Sequence, residues 1–101
     1  MKFEKSKHSI RFTIERDFNL LAVRNMKSLI NDTKNVFIDL TASKLVDSEA
    51  IIFIHRLLKK GVSVHVKNPP KIFYEVVQIL GLENEWNLSE MVDRESDRIY
   101  D

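Results

Sequence analysis

The sequence predicts a small α/β domain built on a largely parallel sheet, and three observations carry that prediction. Stretches with the period of a strand alternate with stretches of helical period. A helix falls between successive strands, which calls for parallel pairing through right-handed crossovers. The chain has 101 residues, 44% of them hydrophobic, which supports one core and leaves no room for a second. Two glycines, two prolines and no cysteine exclude a disordered chain, a disulfide scaffold and any thiolate metal site.

Ile10, Phe12 and Ile14 alternate with Arg11 and Thr13, the pattern of a half-buried strand. Phe3 belongs to a short strand before it, turned back near Ser6 to His8 to give an antiparallel edge. Asp17 or Asn19 caps a helix that carries Ala22, Val23, Met26, Leu29 and Ile30 inward and ends at Asn31 and Asp32. Val36 to Leu40 is nearly continuous in apolar character, as expected of a central strand covered on both faces.

A polar connection, Thr41 to Asp47, leads to a helix from about Ser48 to Lys60 whose first turns are apolar almost all round. Gly61 takes its left-handed stop. Val62, Val64 and Val66 form the next strand, and Asn68-Pro69-Pro70 breaks it. Ile72, Phe73, Val76, Val77 and Leu80 make the stripe of another helix, closed by Gly81 and Leu82. Asn87 and Glu90 have capping-box spacing and predict a last helix to about Arg98, with fraying from about Asp93. The predicted core is Val36, Ile38, Ile51, Ile54, Leu58, Val64, Val76 and Leu80.

The chemistry of an ordinary enzyme is missing. Both glycines close helices, so no loop cradles a phosphate, and there is no GxSxG elbow, no HExxH pair and no cluster of metal ligands. His8, His55 and His65 lie far apart in the sequence, and Trp86 reads as a plug at the core edge. The net charge is +1, which argues against nucleic acid, although it is unevenly placed. Residues 1–30 hold seven basic and three acidic side chains, residues 82–101 two basic and seven acidic. This charge reads first as ordinary solvated surface; the alternative is two patches of opposite sign, either for partners or for each other. No apolar run spans a membrane, the N-terminus lacks the apolar centre of a signal peptide, and the expected location is cytoplasmic.

One segment stands apart. Asp47-Ser48-Glu49-Ala50 lies where a loop from the central strand becomes a buried helix. Free N–H groups and the positive end of the helix dipole meet there, so Ser48 fits either as the N-cap or as a hydroxyl where an added phosphoryl group would be tolerated.

The run Val36-Phe37-Ile38-Asp39-Leu40-Thr41 followed by Leu45-Val46-Asp47-Ser48-Glu49-Ala50 resembles the STAS domain of anti-sigma-factor antagonists and sulfate transporters. Leu57 to Val62, Val64 to Pro70 and Ile79 to Leu82 resemble the family's later elements, in order and at suitable spacing, over about residues 8–98. The resemblance implies a single STAS-like α/β domain over 1–101, with a mixed four- to five-stranded sheet and helices mainly on one side. It implies a non-enzymatic regulatory module without a cofactor, which engages a protein partner such as a kinase-like anti-sigma factor. The partner surface it implies is the loop and helix start 41–50, with Thr41, Lys44, Asp47, Ser48, Glu49 and Ala50. Two alternatives stand beside it: a subunit of a membrane transport assembly, itself not inserted in the bilayer, and a sensor of a small ligand or nucleotide. Asp47 and Ser48 match the family's acid and its phosphorylatable serine, whereas Glu49 replaces a second serine and Ala50 a glycine. Glu49 sets a carboxylate beside the acceptor hydroxyl, so Ser48 is expected to be a weak phosphoacceptor.

Overall fold

The computed structural model describes residues 1–94. The chain runs β1 (Lys2–Lys5), β2 (Ser9–Thr13), α1 (Leu20–Lys27), β3 (Asn35–Asp39), α2 (Ser48–Lys59), β4 (Ser63–Lys67), α3 (Lys71–Ile79), α4 (Leu88–Met91) and β5 (Val92–Asp93). The five strands lie in one sheet in chain order, with β1 antiparallel to β2 and every later pair parallel. Each parallel step moves the same way across the sheet. Right-handed crossovers then drop all the connecting helices onto the same face.

Burial agrees with that layering. Ile10, Phe12, Val36, Ile38, Val64 and Val66 are buried beneath the helices, while their neighbours along each strand are exposed or half-buried. Val23 and Met26 of α1, Ile51 and Ile54 of α2, and Phe73 and Val77 of α3 complete the core. Leu58, Val76 and Leu80 pack against this core half-buried instead of entering it, a correction to the predicted set. The helices lie on a single layer, so their flanking positions meet solvent, and in α2 it is Leu57 that turns fully inward.

The single layer also corrects the reading of the central strand. Val36 and Ile38 face the helices, but Phe37 projects from the open face and is half-buried there. Arg11 lies over its ring at 4.6 Å and His65 stacks beside it at 4.6 Å, so side chains of neighbouring strands shelter it where no helix does.

Local signals act as read at three helix ends. Gly61 and Gly81 adopt φ of +85° and +71°, and each closes its helix in the same way. The N–H of Val62 reaches the carbonyl of Leu57, and that of Leu82 reaches Val77, the long bond of a Schellman motif. Asn19 caps α1 through the Ala22 N–H at 3.1 Å.

The C-terminal helix is shorter than predicted. It stops after Met91, and Val92–Asp93 enters the sheet as β5 beside Val66 and Lys67. Pairing with the free edge of β4 satisfies backbone groups that a solvent-exposed helix end would leave to water. Arg94 then donates through Nε to the Tyr74 hydroxyl at 2.9 Å. The rest of the expected helix and most of the frayed end lie outside the described residues.

Candidate functional site

The loop after β3 is held on both sides by polar contacts that its own residues supply. Asp39 Oδ1 accepts from the N–H and the hydroxyl of Thr41, at 2.9 and 2.6 Å, which turns the chain sharply out of the strand. Asn68 is buried at a φ of +51° and donates its amide to the Thr41 hydroxyl at 2.9 Å, tying the loop to the end of β4. Ser43, also buried, donates its hydroxyl to the Arg16 carbonyl at 2.6 Å. Phe18 and Val46 then form a short parallel bridge, with the Phe18 N–H on Leu45 and the Asp47 N–H on Phe18. The loop is thus stitched to the segment that leads into α1.

The stitching decides the cap. Asp47, not Ser48, is the N-cap of α2, a correction to the reading of that serine. Asp47 Oδ1 accepts from the Ala50 N–H at 2.9 Å and Oδ2 from the Leu20 N–H at 3.1 Å. A single carboxylate satisfies donors at the starts of two helices, which a serine hydroxyl does not span. Ser48 and Glu49 are left exposed on the first turn of α2. Ala50 is fully buried, so it supports this surface from beneath and offers a partner no side chain. Thr41 and Lys44 are exposed on the loop.

Two exposed leucines belong to the same surface. Leu45 lies within the loop named from the sequence, and Leu20, which the pattern reading passed over, starts α1; they are 60% and 37% exposed, and their backbones are bonded to Phe18 and Asp47. Leu20 stands off the apolar stripe of α1, the sequence signal that would have marked it. The surface therefore combines two exposed leucines with the charges of Lys44, Asp47 and Glu49.

Nothing in this arrangement activates Ser48 as a nucleophile. His55 is engaged elsewhere, its Nδ1 accepting from Trp86 Nε1 at 3.2 Å, and His65 stacks on Phe37. No group of acidic or histidine side chains among the described residues is placed to hold a metal ion. No described helix is long and apolar enough to cross a membrane. The two ion pairs among the described residues, Met1–Glu15 and Lys59–Glu85, do not join the basic N-terminal region to the acidic C-terminal one.

No family model and no curated protein matches the chain. Among solved structures, it is similar to the anti-sigma factor antagonist SpoIIAA in its unphosphorylated form. The TM-score is 0.71 at 11% identity, over 98% of this chain and 90% of that one. At such identity the likeness speaks for the path of the backbone. This chain has the STAS fold, the fold of an anti-sigma-factor antagonist.

Proposed function

We propose that this chain is a non-enzymatic, cytoplasmic regulatory module that binds a kinase-like anti-sigma factor through the surface 41–50. The observation that carries this reading is the Asp47 clamp. It holds Ser48 and Glu49 outward on the first turn of α2, in the region that also exposes Leu20 and Leu45. An apolar centre with charged members at its margin is the ordinary anatomy of a protein interface. The fold shared with an anti-sigma factor antagonist supports the choice of partner.

Ser48 is the switch position in this reading, and a weak one. Helix-end stabilisation of an added anion amounts to about 0.3–1 kcal/mol at exposed sites. The seat for that anion is already taken by the Asp47 carboxylate, and Glu49 adds a second negative charge next to a phosphate of about −1.5 to −2. Glu49 instead gives the surface a permanent negative charge.

Affinity capture from the native host, followed by mass spectrometry, tests both statements. Wild-type protein and Ser48→Ala are expected to retain the same kinase-like protein, and Glu49→Ser and Leu45→Asp to change or lose it. Retention by all four proteins alike would move the interface elsewhere. Stoichiometric phosphate on Ser48 would make the serine, and not Glu49, the carrier of the signal.

A further inference from the structure

The far end of α2 lines a second concavity, at the N-terminal ends of the parallel strands, whereas residues 41–50 lie at their C-terminal ends. The α1–β3 connection and the C-terminal half of α2 enclose a cleft of about 520 Å³. That lies within the roughly 300–1,000 Å³ usual for small-molecule sites. Its floor is apolar, with Phe53 and Leu57 buried and Ile30 and Val62 half-buried. Its rim carries Lys27, Arg56 and Lys60, all exposed, against the one carboxylate of Asp32. Among the described residues none of these three cations forms an ion pair. Thr33 lines the same cleft at 8% exposure, and its Oγ1 has no hydrogen-bond partner among the described residues.

Cations near helix C-termini complement the dipole, which accounts for Lys27 and Arg56 by position alone. It does not account for their convergence, with Lys60, on one apolar floor that holds a single carboxylate. An amphipathic anion here would meet unneutralised positive charge above an apolar floor.

We propose that this cleft binds a small amphipathic anion, an organic phosphate monoester. Its apolar body lies on Phe53 and Leu57, and its phosphate takes the charges of Arg56, Lys60 and Lys27. Three cations facing one carboxylate favour a dianionic phosphate over a carboxylate. Two sources share this chemistry, a free monoester and a phospholipid headgroup at a membrane surface, and the experiment separates them.

The isotope-labelled chain is titrated with naphthyl phosphate, inorganic phosphate and naphthol while backbone amide shifts are followed. Naphthyl phosphate is expected to give saturable shifts at Thr33, Phe53, Arg56 and Lys60, with each fragment binding at least about tenfold more weakly. The double variant R56A/K60A should lose about tenfold in affinity or more. Asp32→Asn removes the one carboxylate on the rim, so it should tighten naphthyl phosphate several-fold while leaving naphthol unchanged. That pairing of results separates a ligand contact from a structural role. Equal binding by the variants, shifts scattered over Lys2, Lys7 and Arg24, or no saturation at millimolar concentration would each overturn the proposal. Co-sedimentation with vesicles of phosphatidylcholine and phosphatidic acid, whose headgroup is a phosphate monoester, distinguishes the two sources. Vesicle binding in addition to naphthyl phosphate binding, both lost in R56A/K60A, would assign the ligand to a lipid headgroup. Vesicle binding without it would overturn the site as a cleft.

Discussion

Two helix starts in this chain carry nearly the same local signal and come to different ends. Asp47 opens α2 with Glu49 in the first turn, and Asn87 opens α4 with Glu90 in the first turn. At α2 the cap bonds to Ala50 at 2.9 Å and the helix runs for 12 residues. At α4 Asn87 makes no cap bond, accepts the Ser89 hydroxyl at 2.8 Å instead, and the helix ends after 4 residues. What separates them lies behind the caps. The first buries Ala50, Ile51, Phe53, Ile54 and Leu57, the second only Met91. A cap contributes about 0.5–2 kcal/mol, whereas burying each large apolar side chain contributes about 1.5–3. The buried stripe therefore sets the helix, and the cap fixes only where it starts.

The largest expected effect comes from removing part of the stripe. Ile54→Ala should destabilise the chain by about 2–5 kcal/mol in denaturant unfolding, because Ile54 is fully buried. A loss under about 1 kcal/mol would mean that α2 is not held by burial. Asp47→Ala comes next. It leaves the N–H groups of both Ala50 and Leu20 without their carboxylate, so the cost should lie toward the upper end of about 0.5–2 kcal/mol. Faster hydrogen exchange at Leu20, at the start of α1, would identify the second bond, which an ordinary cap lacks. Asn87→Ala should fall within about 0.5 kcal/mol of wild type, since no cap bond is lost. If it matched Asp47→Ala, the two helix starts would be equivalent and the contrast between them would fail.

Much of the fold was legible because its signals are local. The alternation at Ile10, Phe12 and Ile14, the stripes of α1 and α3, and the stops at Gly61 and Gly81 each depend on residues within a turn or two of one another. The candidate surface was legible in part. Its charged members and the span that holds Leu45 were named from the loop and helix start, but Leu20 was not, because it reaches Asp47 from 27 residues away.

By itself, the sequence determined the order of the elements through α3, the ends of α2 to within a residue, and the apolar positions that make one face of the sheet. Tertiary structure alone decided four things. It chose Asp47 over Ser48 as the cap, because only the carboxylate reaches the start of α1 as well. It turned Phe37 to the open face, where Arg11 and His65 flank it from the adjacent strands. It drew Val92 out of a helix and onto the edge of β4. It gathered Lys27, Arg56 and Lys60 around one apolar cleft. Each outcome depends on groups brought together from distant parts of the chain. A backbone donor, a ring face or a strand edge becomes available to a side chain only once the sheet has formed, and no local spacing records it.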